Sequence, residues 1–443
     1  MHQHRRPATQ PVFARGDRQP RRRPQAAVPL QGRPGARLRH SEIKGPPLHR
    51  GRGTVPVPPG AAAGQTRPRP RNEESSVNRL RLAVVGTGHL GRIHARLAAG
   101  LPEIELVAVA DANPAAAHSV AAETGAMTVA QLSELVGEVD AAVVATPTDT
   151  HCQVASQLIA SGIHVLVEKP LAPTADEADR LVRLARRNHA VLQVGHVERF
   201  NPALEAVADK LVEPKFIEAR RQSTYTFRST DVGVVLDLMI HDIDVVLSLI
   251  GSVVVRADAA GVSVMGGHED MVSARLHFEC GAVANLTASR TSYAPARTMQ
   301  VFTPQRFAAI DFATRQATLV EPNESILAGA IDLEHLPAEA KAEMRDRLFD
   351  DWLVKQTVEA PASNAIENEL RDFAAAITTG SQPRVTGAAG RDAVFVAEMI
   401  LSSVATHRWD GRDGTRVGAH PFPAAAAADR WSDDDTVVWR KAG

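Results

Sequence analysis

The side chains best able to do chemistry fall in three short stretches, the first of which follows an apolar strand pattern. In Val165-Leu-Val-Glu-Lys-Pro-Leu171, Glu168 and Lys169 come directly after the apolar run. A lysine at a strand end can stabilise an oxyanion, or can accept a proton if burial lowers its pKa. The alternative is that Lys169 is only a solvated charge at the end of a strand.

The second stretch, Val235–Ile250, is an apolar helical pattern that carries acidic and basic side chains. Asp237, His241 and Asp244 recur at i, i+4 and i+7, which places them on one stripe of a helix. Residues 229–255 contain no Lys, Arg or Glu, so we predict a buried helix whose stripe faces a polar cleft. A structural Asp–His pair is the alternative. A metal site is a further one, although no His or Cys cluster supports it.

The third stretch, Gly195-His-Val-Glu-Arg-Phe-Asn-Pro202, offers Arg199 and Asn201 to hold a polar or anionic substrate, unless Arg199 forms a structural ion pair. Together the three stretches suit the oxidation of a sugar hydroxyl. His241 is the natural base for the hydroxyl proton, and Asp237 could orient it. Lys169 would stabilise the alkoxide or take the proton itself, and the sequence leaves that choice open.

A glycine-rich turn upstream predicts the hydride acceptor. In Gly86-Thr-Gly-His-Leu-Gly91, a strand pattern precedes the glycines and a helix pattern follows them, as a dinucleotide pyrophosphate requires. Asp111 stands at the end of the next strand, where a carboxylate accepts ribose hydroxyls and repels a 2′-phosphate. The next residues, Ala112-Asn-Pro114, include no arginine to hold such a phosphate, so we expect NAD rather than NADP. The predicted cofactor residues of the turn are Gly86, Thr87, Gly88, His89 and Leu90.

The elements that position these residues indicate two joined folds. Continuous apolar strands alternate with helices up to Val194, which predicts a Rossmann-type, doubly wound parallel sheet. Beyond Gly195 longer strands predict a largely antiparallel open sheet with helices on one face, giving α/β followed by α+β. We expect helices over Pro202–Leu211, Val235–Ile250, Ala365–Ile377 and Arg391–Thr406, and a helical excursion within residues 322–362.

The predicted domains are an NAD-binding Rossmann domain over 77–196 and a substrate-binding and oligomerisation domain over 197–420. Residues 421–443 form a poorly specified tail. Residues 1–76 hold 13 of the 28 prolines and 16 of the 50 Lys and Arg residues, which predicts a disordered basic extension. A basic tail that contacts RNA or acidic surfaces is the alternative. One hypothesis is that translation starts near Val77 instead.

Charge and cysteine usage exclude several classes of protein. Residues 77–443 carry 34 Lys and Arg against 47 Asp and Glu, which argues against nucleic acid as the main partner. The two cysteines, Cys152 and Cys280, have no metal spacing and fit a reducing compartment. No apolar run approaches 18 residues, so we expect a cytoplasmic protein without a membrane span.

These motifs together resemble the glucose–fructose oxidoreductase/inositol dehydrogenase/MocA (Gfo/Idh/MocA) family over residues 79–405. The resemblance rests on the glycine-rich turn, Ala145-Thr-Pro-Thr-Asp-Thr-His151, Glu168-Lys-Pro170 and Asp237-x-x-x-His241. It implies a homodimer or homotetramer packed through the second sheets. It also implies that Lys169, Asp237 and His241 are catalytic, and that the nicotinamide end of the cofactor is lined by Thr146, Pro147, His151 and Glu168.

Within the family, two segments look like the UDP-N-acetylglucosamine 3-dehydrogenase group: Gly195–Pro202 and Asp237-Leu-Met-Ile-His-Asp-Ile-Asp244. That group oxidises the sugar 3-hydroxyl to a ketone. A partner aminotransferase can then aminate the ketone for lipid A or surface-sugar synthesis. The alternatives are the same chemistry on a free sugar or inositol, and a non-catalytic regulator that binds NAD.

Overall fold

The computed structural model describes residues 79–227, 232–360 and 362–407. The expected extension over residues 1–76 and the expected tail over 421–443 lie outside these ranges. The domain boundaries at 196 and 420 stay predictions. None of the helices in the described part combines the length and the apolar character that crossing a bilayer requires.

The first half is a six-stranded parallel sheet in the order β3-β2-β1-β4-β5-β6. Most residues of its central strands are buried and apolar, because helices cover both faces of a parallel sheet. The predicted doubly wound fold is confirmed. The strands are β1 (Leu80–Val85), β2 (Ile104–Ala110), β3 (Met127–Val129), β4 (Ala141–Val144), β5 (His164–Glu168) and β6 (Leu192–Gly195). The helices are α1 (His89–Gly100), α2 (Pro114–Thr124), α3 (Thr148–Ala160) and α4 (Ala175–Arg187).

The second half is an eight-stranded sheet in which only the β7–β10 pair is parallel. Along β9 buried and less buried residues alternate, as in a sheet with one face on the core. The predicted, largely antiparallel sheet is confirmed. Its order is β14-β13-β12-β11-β7-β10-β9-β8, with strands β7 (Phe216–Gln222), β8 (Val254–Val262), β9 (Met271–Phe278), β10 (Val283–Ser289), β11 (Ala296–Phe302), β12 (Phe307–Asp311), β13 (Gln316–Pro322) and β14 (Leu353–Glu359).

Helices of the second half connect the two sheets. The helix α6 (Ile240–Ile250) crosses between β7 and β8 and begins with a π-helical turn, Val235–Met239. The last two helices, α9 (Ala365–Thr379) and α10 (Gly387–Thr406), pack on different sheets. Leu370 and Phe373 of α9 are buried in the core of the first sheet, whereas α10 packs in the core of the second. The remaining helices are α5 (Pro202–Glu205), α7 (Glu324–Leu327) and α8 (Ala338–Asp346).

Two local predictions were wrong. The segment 322–362 is not only helical, because β14 pairs antiparallel with β13 at the sheet edge. That strand is mostly exposed, so burial left little trace in its sequence. The helix predicted over Pro202–Leu211 ends after one turn. Val207, which is fully buried, leaves the helical conformation (φ −128°, ψ −13°), and only a short 3₁₀ turn follows.

Candidate active site

The glycine-rich turn after β1 has the geometry that a dinucleotide needs. Gly86 has φ +90°, and a Cβ there would lie 2.5 Å from the carbonyl oxygen of Ala145. A Cβ on Gly91 would collide with the Gly86 carbonyl, so only glycine lets α1 pack this closely. A Cβ on Gly88 would meet no atom within 4 Å, so the space beside this residue is open. The turn can therefore bring its backbone against a diphosphate.

The first turn of α1 offers its backbone N–H groups to that diphosphate. The helix begins after Gly88 without a side-chain cap, and its first turn contains no acidic residue. His89 and Leu90 are exposed beside it. Free N–H groups and the positive end of the helix dipole together favour an anion.

Asp111 joins the end of β2 to the glycine-rich turn. Its Oδ2 accepts hydrogen bonds from the Thr87 N–H (2.6 Å) and hydroxyl (2.9 Å), and its Oδ1 accepts one from the Asn113 N–H (2.8 Å). Burial alone would raise the pKa of Asp111, but these bonds hold it below its ordinary value. The half-buried carboxylate is therefore ionised at neutral pH, and it suits ribose hydroxyls but not a 2′-phosphate.

His151, near the start of the helix α3 that follows β4, connects two turns of the chain. Its Nδ1 lies 2.9 Å from the carbonyl oxygen of Pro170, and its Nε2 lies 2.8 Å from that of Thr146. Burial lowers the pKa of His151, so the neutral ring donates one of these bonds at a time. The Thr146–Pro147 turn is only partly covered at the same sheet edge. His151 thus stabilises the Thr146–Pro147 turn, which is predicted to line the nicotinamide.

Glu168 faces inward rather than toward open space. Its Oε1 lies 2.7 Å from Nε2 of His94 on α1, and Glu369 on α9 brings a third buried group within 4.8 Å. Burial would raise the pKa of Glu168, but His94 and Lys169 hold it below its ordinary value. Burial and the neighbouring Glu168 raise the pKa of Glu369 well above its own. Of the two carboxyls, Glu168 therefore carries negative charge beside His94 more readily than Glu369 does.

Lys169 reaches across the junction of the two halves. Its Nζ donates to the backbone carbonyl of Asp237 (2.7 Å) and to the Asp237 Oδ1 (3.3 Å). Asp237 lies in the π-helical turn before α6, and such turns are frequent at functional sites. An ammonium has three N–H donors, so one remains for a substrate oxygen. The structure thus brings two of the three predicted catalytic residues into direct contact.

His241, the third, lies in the first turn of α6, near His196, which directly follows β6. The two ring centroids are 6.2 Å apart, with the rings edge to face. Burial lowers the pKa of His241 well below its ordinary value, and Lys169 adds to this effect. The neutral ring is therefore ready to accept a proton at neutral pH. Among the described contacts, the Asp237 carboxylate bonds to Lys169 and not to His241, so it does not orient the histidine as expected.

The other side of α6 carries a closed ion-pair network. Arg221 on β7 donates to both carboxylate oxygens of Asp242 (2.8–3.2 Å) and to Glu198 (2.8 Å). All three side chains are at least nine-tenths buried. Burial lowers the pKa of Arg221, but the two carboxylates more than offset this and raise it above its ordinary value. This network holds the Gly195–Pro202 segment against α6.

Asn201 belongs to this structural group. Its Oδ1 caps α5 by accepting from the Ala203 N–H, and its Nδ2 donates to Glu198 and to the Phe312 carbonyl. Only 8% of Asn201 is exposed. Because its amide is already used within the protein, we do not retain Asn201 as a substrate contact.

Arg199 also differs from the expectation. Its guanidinium lies 3.5 Å from Oδ1 of Asp244 and donates to the backbone carbonyl of Arg384 (3.2 Å). Arg199 and Asp244 line a cavity that neither Lys169 nor His241 lines. The structural ion pair, which was the alternative for Arg199, describes these contacts better.

Sequence reasoning missed His94, Glu369 and the ion pairs of Arg221. His94 is the sixth residue of α1, and Glu369 lies on the amphipathic helix α9, so both could have been placed on buried faces. Nothing in either sequence segment indicates that they meet at Glu168, which lies far from both in the chain.

The nucleotide turn, the ionised Asp111 and the basic junction at Lys169 define an oxidoreductase that binds NAD on a Rossmann domain. Two family models match: an oxidoreductase family with an NAD-binding Rossmann fold over residues 80–196, and a Gfo/Idh/MocA C-terminal domain over 207–306. The chain belongs to the Gfo/Idh/MocA oxidoreductase family, and the predicted family, enzyme class and NAD cofactor are confirmed.

Individual relatives are similar over nearly their full lengths. UDP-N-acetylglucosamine 3-dehydrogenase from Acidithiobacillus ferrooxidans is 34% identical over 73% of this chain and 97% of its own. A solved structure of that enzyme, GnnA, has a TM-score of 0.65 at 32% identity, covering 74% of this chain and 98% of that one. Inositol 2-dehydrogenase from Rhizobium meliloti is 28% identical over 74% of this chain and 98% of its own.

Proposed function

We propose that the enzyme oxidises a secondary hydroxyl of a UDP-sugar, with UDP-N-acetylglucosamine as the substrate and carbon 3 as the position oxidised. The observation that carries the chemistry is the junction at which Lys169 meets Asp237 beside a neutral His241. The similarity to a dehydrogenase of this substrate supports the choice of sugar.

In this mechanism the two basic side chains have different tasks. The remaining N–H of Lys169 donates to the oxygen of the sugar hydroxyl and orients it. The same N–H stabilises the negative charge that develops on that oxygen. Asp237 holds the ammonium in place. His241 removes the hydroxyl proton, since its lowered pKa keeps the ring neutral. The glycine-rich turn, Asp111 and the Thr146–Pro147 turn would hold NAD, which would supply the hydride acceptor.

A nucleotide sugar also needs a cation for its diphosphate, and Arg297 on β11 is the candidate. Among the other arginines of the second half, Arg221 and Arg290 are buried in ion pairs with acidic residues. Arg228 lies outside the described residues. Arg297 is exposed, forms no side-chain ion pair within the described part of the chain, and acts electrostatically on His241. An exposed guanidinium close enough to affect the base electrostatically supports a substrate with an anionic group.

A panel of substrates tests this proposal. NADH formation is followed with UDP-N-acetylglucosamine, UDP-glucose, free N-acetylglucosamine and inositol. We expect turnover with UDP-N-acetylglucosamine and little with inositol. Turnover with inositol but with none of the UDP-sugars would favour the second candidate, an inositol or free-sugar dehydrogenase, which the R. meliloti relative supports.

The Arg297→Ala variant separates the nucleotide part of the substrate from the sugar part. We expect the KM for the UDP-sugar to rise about fivefold, roughly 1 kcal/mol for an exposed charge pair. The KM for NAD should not change. Arg275→Ala, on β9 and bonded to Asn285, is the matched control. An unchanged KM for the UDP-sugar would remove Arg297 from the diphosphate site.

The proposal extends to the product and the assembly. The ketone is a substrate for a sugar aminotransferase, and we propose that this enzyme is functionally coupled to one.

An aromatic cluster on the second sheet is formed by Phe216, Phe302 and Phe307. Phe302 is 39% exposed, which supports a homodimer or homotetramer packed through these sheets. Light scattering after size exclusion measures the mass, and a monomer would contradict the assembly.

A further inference from the structure

A row of buried polar atoms leads away from the catalytic junction. His196 is fully buried, and neither of its ring nitrogens has a hydrogen-bond partner among the described residues. The same holds for Nδ1 of His241 and for Oδ2 of Asp244. His196 lies edge to face with His241, and Asp244 follows His241 by three residues on α6, within one turn. These side chains occupy one side of the helix.

Buried polar atoms in native proteins are almost always bonded, either to protein or to ordered water. The ring centroids of His196 and His241 are 6.2 Å apart, a separation that suits a bridging water better than a direct bond. Consecutive atoms that lack protein partners therefore indicate a path of water-linked groups. Nδ1 of His241 is buried, whereas the residue as a whole is only partly buried. Its Nε2 can therefore face the cleft while Nδ1 faces the interior.

The outer end of the row, Asp244, is only 1% exposed but borders a cavity that opens to the surface. Asp244 and Arg199 line an open cavity of about 510 Å³ between α6 and the first turns of α10. Ser248 on α6 and Thr386, the N-cap of α10, also line this cavity. The row thus begins at the base that faces the substrate and ends where solvent can take up a proton.

We propose that His196 and Asp244 carry the substrate proton from His241 to this cavity. This proposal rests on the proposed function, in which His241 is the base. The hydroxyl O–H bond breaks as its proton goes to Nε2 of His241. The C–H bond breaks as its electron pair leaves with the hydride for NAD, and the C=O bond forms. His241 then releases the proton on Nδ1 through a water to His196, and Asp244 passes it to solvent.

The charges around the row favour this direction. Lys169 lies at the inner end and disfavours a proton on either histidine, whereas Asp244 favours one on His196. Burial lowers the pKa of both rings, and that of His241 falls well below its ordinary value. The charged groups that face the row from the packed elements are Lys169 and Glu168 at β5, Arg221 on β7, Arg297 on β11, Arg199 after β6 and Glu369 on α9.

Stopped-flow measurement of NADH absorbance together with a pH indicator tests the relay, with NAD and UDP-N-acetylglucosamine in weak buffer. In the parent enzyme, proton release should keep pace with NADH formation. In His196→Gln, which keeps polar atoms but cannot carry a proton, we expect the first hydride transfer and the KM for NAD to persist. Proton release and steady-state turnover should slow about tenfold or more. Added imidazole should restore turnover in His196→Ala.

Two further variants keep the test decisive. Asp244→Asn, at the outer end, should show the same delay in proton release even if His196→Gln folds poorly. Gln193→Met, which alters another buried polar group on β6, is the control and should release protons at the parent rate. Normal proton release by both relay variants, with normal NADH formation, would overturn the relay alone. A parent enzyme that forms no NADH with UDP-sugars or polyols would overturn the proposed function and the relay with it.

Discussion

The two sides of α6 hold buried ionisable groups in opposite states. On one side, Asp242 is held by three contacts to Arg221, which also binds Glu198. On the other, His241 and Asp244 each keep a buried polar atom without a partner among the described residues. Burial disfavours charge on both sides, but only on the Arg221 side does every carboxylate oxygen have a partner. Asp244 has one long contact, 3.5 Å from its Oδ1 to Arg199, and its Oδ2 has none among the described residues. The difference separates groups that hold the fold from groups that are free to react.

The sequence alone does not reveal this difference. Asp242 and Asp244 stand two residues apart in His-Asp-Ile-Asp, with the same side chain and the same apolar surroundings. Two residues along a helix turn by about 200°, so the carboxylates face opposite ways. The partners that decide their roles, Arg221 and Arg199, come from other elements.

The largest expected effect comes from the reactive side. Lys169→Ala and His241→Ala should each reduce kcat about 10²- to 10⁴-fold, because each removes a group that handles charge or the proton in the transition state. NADH binding, measured by fluorescence titration, should stay within a few-fold, since the glycine-rich turn is untouched. Lys215→Ala, an exposed lysine paired with Glu213, is the control. Near-parent kcat in both variants would contradict the assignment.

The next effect concerns stability. Arg221→Met leaves Asp242 and Glu198 buried without their cation, and it should lower the free energy of unfolding by about 3–5 kcal/mol. Urea denaturation followed by circular dichroism measures this change. The neighbouring Arg220→Met removes an exposed pair with Glu218 and should cost about 0–1 kcal/mol. Equal losses in the two variants would mean that the network is not what holds this side of α6.

The pH dependence should be smaller but characteristic. Because the pKa of His241 is lowered, the ring stays neutral and able to accept a proton until the pH falls through that lowered value. We therefore expect kcat/KM to be flat from about pH 6.5 to 8 and to decline only below about 6.5, the ordinary histidine pKa. A profile that has already lost half its activity at pH 7 would indicate a base with a raised pKa.

Much of this architecture follows from local pattern. The continuous apolar strands, the glycine-rich turn and the position of Lys169 at a strand end all depend on neighbours in the chain, and the structure agrees with them. The pairing of Lys169 with Asp237 joins residues 68 apart, and the link from Asn201 to Phe312 joins residues 111 apart. Such partners depend on how the elements pack. For this reason the sequence did not reveal that Asn201 bonds within the protein or that β14 joins the edge of the sheet.

The central claim is that complete pairing marks the structural carboxylate on α6 and incomplete pairing marks the functional one, and one side-by-side measurement tests it. Asp242→Asn and Asp244→Asn make the same chemical change two residues apart. We predict that Asp242→Asn lowers the urea midpoint but leaves kcat within a few-fold of the parent. We predict the reverse for Asp244→Asn, with a lowered kcat and a nearly unchanged midpoint. The opposite pattern, or equal effects of both variants on both quantities, would contradict the account.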